Sequence, residues 1–224
     1  MMRVSAGDPQ IAEMFGLPVH PPGEFLLENA QGRLQLRDTR DGGPGPLYVD
    51  FDSPDIMRRV RAGRTLPLAR AILGRGGGKP TMLDATAGLG RDAYTLAKLG
   101  CGVIALERSP VVAALLSDGL RRAGMELEVC VTDAVEFMAV TEHRTQVVYL
   151  DPMFPASNQS AGVKKEMQYF RDLLGADDTD ALFEAAMRFA TSRVVIKRPQ
   201  HAARTHKPNH TFAGKTVRFD VHLV

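Results

Sequence analysis

Apolar residues first alternate with polar ones, and later gather into short unbroken runs separated by amphipathic stretches. Residues 24–38 (EFLLENAQGRLQLRD) read as two short strands around a turn at Asn29-Ala30-Gln31-Gly32, and the alternation in RLQLR predicts a half-buried strand. The segment Asp41 to Pro46 (DGGPGP) breaks the pattern, and LYVDF, Leu47 to Phe51, is a further short strand candidate. From about Pro54 to Leu73 the pattern is helical, with Gly63 and Pro67 marking a break between two helices. The stretch RGGGKP, Arg75 to Pro80, is a connector.

Past that connector, strands and helices alternate. TMLDA (81–85), GVIALE (102–107), LEVCV (127–131), QVVYL (146–150) and RVVIK (193–197) are strand candidates, and TVRFDVHLV (216–224) closes the chain as an alternating strand. Between them lie helices over Asp92 to Leu99, from Pro110 through VVAALLSDGLRRAG, over Ala134 to Val140 and over Asp180 to Ala190. Pro110 suits the first helical turn, where its missing N–H costs nothing. Apolar strand runs joined by helices predict an α/β fold: a doubly wound, mostly parallel sheet covered on both faces. That domain takes residues 54–224, preceded by a small N-terminal β-rich extension over residues 1–53.

Composition narrows the picture. Of 224 residues 44% are apolar and 24% charged, enough to bury a core and too few charges for a disordered chain. No apolar run approaches the ~20 residues of a membrane span, and MMRVSAGDPQ has no signal-like apolar core. A soluble cytoplasmic protein is expected. Cys101 and Cys130 stand apart without a CxxC pair, so reduced core thiols are expected rather than a bridge or a zinc site, and the six histidines lack metal-ligand spacing. The net charge of +2 is uninformative, but its distribution is not. MRRVRAGR (Met57 to Arg64) and IKRPQHAARTHKPNH (Ile196 to His210) are basic, and acids gather in GADDTD (Gly175 to Asp180).

In a doubly wound sheet ligands bind outside the carboxyl ends of the strands. After the first strand of the alternating region comes Asp84-Ala85-Thr86-Ala87-Gly88-Leu89-Gly90-Arg91-Asp92. Gly88 and Gly90 permit a tight turn and a close ligand, and the following helix aims its amides at that turn. A dinucleotide fingerprint would read similarly, yet Asp84 would repel a pyrophosphate and suits an ammonium such as that of a methionine moiety. Glu107 ends the second strand, where an acid accepts from ribose hydroxyls. Thr132-Asp133 follow the third, where Asp133 can accept from an adenine amino group or cap the next helix. The fourth is followed by Asp151-Pro152-Met153-Phe154-Pro155. Asp151 and the Pro152 carbonyl can accept the two hydrogens of a planar amine, and Phe154 can stack on its ring.

The DPMFP sequence resembles the (D/N)-P-P-(F/Y) loop of amino-methyltransferases, with Met153 in place of the second proline. Together with LDATAGLGRDA (83–93), LERSPVVAALLSDGL (106–120), VVYLDPMFP (147–155), VKKEM (163–167) and VVIKRP (194–199), it resembles the ribosomal small-subunit methyltransferase J family. The resemblance covers residues 80–200 closely and the opening segment loosely. It implies a Rossmann-like methyltransferase that uses S-adenosyl-L-methionine to methylate the exocyclic N2 of guanine 1516 in 16S ribosomal RNA, with the RNA or small ribosomal subunit as partner. Carried over by position, cofactor contacts fall on Arg91, Asp92, Glu107, Arg108 and Asp151. The chain departs from the family at Thr132-Asp133, where the family has a pair of serines.

Lys164, Lys165, Lys197 and Arg198 follow the fourth strand or end the fifth, and they are expected to meet RNA phosphates. The rival readings are an amino-methyltransferase for adenine N6 or a protein glutamine, a nicotinamide-dependent oxidoreductase, and a non-catalytic RNA-binding module. The oxidoreductase gives DPMFP no task, and a mere scaffold would not require the acids at the strand ends.

Overall fold

The computed structural model describes residues 4–19, 24–74, 76, 78–153, 169 and 177–224. Its larger sheet has seven strands: β4 (Thr81–Asp84), β5 (Gly102–Glu107), β6 (Glu128–Val131), β7 (Val147–Leu150), β8 (Arg193–Pro199), β9 (His210–Ala213) and β10 (Val217–Leu223). They are ordered β6-β5-β4-β7-β8-β10-β9. The pairs β5–β6, β4–β5, β4–β7 and β7–β8 are parallel, whereas β10 runs antiparallel to both β8 and β9. The alternating region therefore is a doubly wound, mostly parallel sheet, and β9 is a strand the apolar pattern did not show.

Strand side chains point alternately to opposite faces, so each apolar run feeds two cores. Leu83, Leu106, Val148, Leu150, Val194 and Ile196 pack on α6 (Ala134–Val140) and α7 (Thr179–Phe189). Met82, Val147, Tyr149, Val195, Phe219 and Val221 pack on α3 (Pro67–Leu73) and on Leu96 of α4 (Arg91–Lys98). The alternation in β10 does not mark a wet face. Arg218 and Asp220 are buried and paired at 2.9 Å, and Arg218 also donates to the carbonyl of Gln200 at 2.7 Å.

The N-terminal segment forms a second, three-stranded sheet from β1 (Val4–Ala6), β2 (Phe25–Ala30) and β3 (Arg33–Asp38), with α1 (Pro9–Phe15) beside it. Neither β1 nor α1 was evident in the sequence pattern. The β2–β3 turn lies at Gln31-Gly32, both with positive φ (54° and 74°), the backbone of a tight two-residue hairpin turn. LYVDF does not become a strand. Only Leu47 pairs, exchanging backbone hydrogen bonds with Leu36, while Val49 and Phe51 are buried and the Phe51 ring stacks on Tyr94 at 4.1 Å.

Helix α5 (Pro110–Arg122) joins the two sheets. Val112, Leu115 and Leu116 share a core with Phe25, Leu27, Leu34 and Leu36, and Asp118 accepts the Leu34 amide at 3.1 Å. The VVAALL run is thus covered on more of its circumference than a surface helix would be. The break between α2 (Pro54–Ala62) and α3 is a short 3-10 turn, Gly63–Thr65.

Gly119 on α5 faces the 47–51 segment so closely that a Cβ there would lie 2.4 Å from Val49 Cγ1. In an open helix Gly→Ala adds roughly 1 kcal/mol of stability. Here overpacking, at roughly 1–3 kcal/mol, outweighs that gain. Gly119→Ala is therefore expected to lower the denaturation midpoint, and a raised midpoint would show that the 47–51 segment yields freely.

Candidate active site

Strand order reverses at β4, whose neighbours are β5 on one side and β7 on the other. The loops leaving β4 and β7 part there and open a crevice at the carboxyl edge. Asp84, Glu107 and Asp151 all lie on that edge, at the ends of β4, β5 and β7.

The turn from β4 into α4 is shaped by Gly88 (φ 53°) and Gly90 (φ 72°). A Cβ on Gly90 would come within 2.3 Å of Leu116 Cδ1, so the turn rests directly on α5. Glu107 fastens the same turn from β5: Oε2 accepts the Gly88 amide at 3.0 Å and Oε1 the Ser109 amide at 2.8 Å. Burial raises its pKa, and the two amides oppose that rise. Each carboxylate oxygen retains a lone pair for a further donor.

Asp84 lies beneath the turn rather than on its surface. It is buried, with Oδ1 accepting the Thr86 amide at 3.2 Å. Burial first, then the nearby Asp92 carboxylate, push its pKa well above the ordinary range. Arg91 is exposed beside a cleft of about 220 Å³, lined also by Tyr48, Asp50 and Ser53. Asp133 caps α6, accepting the Val135 and Glu136 amides at 2.8 and 3.1 Å, and Thr132 donates its amide to the Glu107 carbonyl.

Asp92 is the meeting point of four elements. It is buried in the first turn of α4, pairs with Arg59 of α2, and accepts the Tyr149 hydroxyl of β7 at 2.7 Å and Lys197 Nζ of β8 at 3.2 Å. Burial works against its charge, but Lys197 and Arg59 outweigh it and hold the carboxyl below its usual pKa. The Lys197 ammonium continues to Asp151 Oδ2 at 2.6 Å. Burial pushes Asp151 upward, and Lys197 opposes this.

Backbone contacts set the Asp151 loop. Its amide donates to Thr86 Oγ1 at 2.6 Å, which ties the loop after β7 to the glycine turn. The Met153 amide donates to Asp177 Oδ2 at 2.6 Å, and Asp177 Oδ1 pairs with Arg108 at 3.1 Å. Arg108 thus supports the loop through Asp177. Pro152 is buried, while Phe154, Lys164 and Lys165 lie outside the described residues.

Two basic residues expected at RNA phosphates point elsewhere. Lys197 turns inward onto Asp92 and Asp151, and Arg198 is buried with its guanidinium donating to Thr205 at 2.8 Å. An ammonium already held by two carboxylates, or a buried guanidinium, presents little charge to a phosphate outside. Arg59, Thr86, Tyr149 and Asp177 are site residues that sequence reasoning did not single out. Arg59 sits among exposed arginines, and Asp177 within an acidic run, so neither carried a local signal.

Asp92 has a lower pKa folded than its ordinary 3.8, so its stabilisation is full above that value and is lost as pH falls through the folded pKa. Asp92→Asn leaves Lys197 and Arg59 short of a partner and is expected to cost roughly 3 kcal/mol at pH 7. The stability gap between wild type and variant should shrink below about pH 4 in denaturant titrations. A gap constant from pH 7 to pH 3 would contradict this account of Asp92.

A family model for SAM-dependent methyltransferases matches residues 10–224. Ribosomal RNA small subunit methyltransferase J of Aeromonas salmonicida is 44% identical over 216 residues, covering 90% of this chain and 87% of that protein. The Dechloromonas aromatica protein of the same name is 42% identical over 227 residues, covering 95% and 93%. Among solved structures, the SAM-dependent methyltransferase NGO1261 of Neisseria gonorrhoeae matches with a TM-score of 0.74 at 32% identity, covering 99% of this chain and 95% of that one. The Thermus thermophilus 16S rRNA N2 G1207 methyltransferase, solved with AdoMet and guanosine, shares the fold at 16% identity with a TM-score of 0.52, covering 92% and 53%. The chain belongs to the ribosomal RNA small subunit methyltransferase J family of SAM-dependent methyltransferases.

Proposed function

We propose that this protein methylates the exocyclic N2 amine of a guanine in 16S ribosomal RNA, at the position the family resemblance implies. The observation that carries this reading is the Asp151-Pro152 pair at the carboxyl end of β7. It stands at the strand-order switch beside the glycine turn, with its carboxylate held by Lys197 and its amide by Thr86. The names of the relatives, which place their activity on small-subunit ribosomal RNA, support the choice of substrate.

The donor set fits S-adenosylmethionine. Glu107 keeps lone pairs for two ribose hydroxyls while bracing the turn, and Asp133 is exposed at the end of β6 with acceptor capacity for an amino group. Gly88, Gly90, Arg91 and Asp92 form the turn and first helical residues that would hold the cofactor. The cofactor supplies a methyl group on a sulfonium that leaves readily, so the protein needs no strong base. Asp151 and the Pro152 carbonyl accept the two N–H bonds of the guanine amine. This turns the nitrogen lone pair, otherwise delocalised into the ring, toward the incoming methyl. As the N–C bond formed, the methyl–sulfur bond would break and leave a neutral thioether, and the proton lost from the nitrogen would pass to Asp151 or to water. The gain comes from positioning and fixed electrostatics, and Phe154 is assigned to stack on the flipped base.

RNA phosphates are assigned to Lys164 and Lys165, and to the loop after β8 where His201, Arg204 and Lys207 are exposed. Residues 1–53 are read as an appended module that helps dock the RNA, and residues 54–224 as the methyltransferase domain.

The test is transfer of labelled methyl from S-adenosylmethionine to small ribosomal subunits from cells lacking the endogenous enzyme, followed by nucleoside analysis. Label is expected in N2-methylguanosine. Label in N6-methyladenosine or in protein would overturn the assignment of the amine. Asp151→Ala is expected to lower kcat by at least about a hundredfold while still binding the cofactor. Near wild-type turnover in that variant would remove Asp151 from the reaction.

A further inference from the structure

Accepting an amine hydrogen requires an Asp151 oxygen turned the right way and is strongest when the carboxyl is ionised, and nothing in methyl transfer itself requires a lysine. Yet Lys197 Nζ lies 2.6 Å from Asp151 Oδ2 and 3.2 Å from Asp92 Oδ2. Asp92 is fixed in turn, by Arg59 of α2 on Oδ1 and by the Tyr149 hydroxyl on Oδ2. The chain of contacts runs from α2 through α4 and β8 to the residue that meets the substrate.

We propose that Lys197 is the positioning residue of this reaction: its ammonium clamps Oδ2 of Asp151 and leaves Oδ1 to accept from the substrate amine. The proposal rests on the reading of Asp151 given above. A carboxylate free to rotate about χ2 would present either oxygen, or both edge-on, and lose the lone-pair orientation that drives the step. A protonated Asp151 would keep only an uncharged, weaker acceptor oxygen and would carry an O–H donor that meets the amine unfavourably whenever the group is turned over.

The groups around Lys197 decide which form Asp151 takes. Among the described residues, Asp84 from β4, Asp92 from α4 and Asp151 just past β7 are the acids, Tyr149 from β7 is a buried phenol, and Arg59 from α2 is the other cation. Burial and Asp92 favour protonated Asp151, whereas Lys197, followed by Arg59, favours the carboxylate. Lys197 itself is held charged, since Asp92 and Asp151 outweigh the burial that would neutralise it. Without the ammonium, burial and a neighbouring carboxylate act on Asp151 with only Arg59 opposing them. Its protonation would move toward neutral pH.

The test uses the full-length protein as wild type, Lys197→Met, Lys197→Arg and Arg59→Gln. The Asp151 carboxyl is followed by carbon NMR of aspartate-labelled protein, assigned with Asp151→Asn, and kcat is measured against pH on small ribosomal subunits. In Lys197→Met the Asp151 titration and the acid limb of the kcat profile should both move to higher pH. Turnover should fall at least about tenfold at pH 7, with part of it regained in alkali. Lys197→Arg should keep most of the wild-type profile, and Arg59→Gln should shift it the same way by less. Should Lys197→Met not fold, Arg59→Gln carries the same two readouts. An unmoved Asp151 titration, or a loss of kcat equal at every pH, would overturn the proposal. If wild type does not methylate the subunit, the reading of the function fails by itself, while the NMR titration still decides whether Lys197 governs Asp151.

Discussion

Everything at the carboxyl edge of the sheet depends on one balance of charge. Three aspartates converge where β4, β7 and α4 meet, and burial of so many carboxylates without partners would cost several kcal/mol each. Lys197 and Arg59 supply the opposing charge. Asp84, with burial and Asp92 both raising its pKa, is pushed furthest toward its neutral form, and Asp151 is raised less because Lys197 and Arg59 oppose its burial. The outcome is that Asp92 and Asp151 face two cations, with the Tyr149 hydroxyl filling a remaining acceptor position on Asp92. Elements as distant in sequence as α2 and β8 are brought into register by this group of side chains.

The same edge is stiffened by the backbone. Thr86 takes the Asp151 amide, Glu107 takes the Gly88 amide, and Asp177 takes the Met153 amide. Each tie joins the loop after one strand to a different element, so the crevice walls are braced against each other before any ligand arrives. A site preorganised this way loses little on binding, which is where a reaction with a good leaving group gains most of its rate.

The strands and helices of the alternating region were legible because their apolar runs have one meaning: burial between two helical layers. GVIALE and Ala134 to Val140 became β5 and α6 with the expected bounds. What escaped was decided by tertiary partners. LYVDF has a strand's composition, but Val49 and Phe51 pack on α5 and Tyr94 instead of extending a ladder. The alternation in β10 was legible, but not that its charged side pairs internally and is covered. The strand-end acids were readable from position alone. Which cation each would meet was not: Lys197 could not be told from a phosphate-binding lysine, nor Arg59 from its exposed neighbours, until the fold set them beside Asp92.

The helix α5 carries a consequence for how this chain comes into being. The β2–β3 hairpin is synthesised before α5, yet Leu34 bonds to Asp118, 84 residues further on. Its apolar face shares a core with Ile11 and Ala12 of α1 and with Leu47, Val49 and Phe51, but that core is complete only once Val112, Leu115 and Leu116 are made. At roughly 5–20 residues per second the hairpin waits several seconds for them. The small sheet is thus completed by a helix made later, and that same helix seats the glycine turn through Leu116, so completing one core also braces the other site.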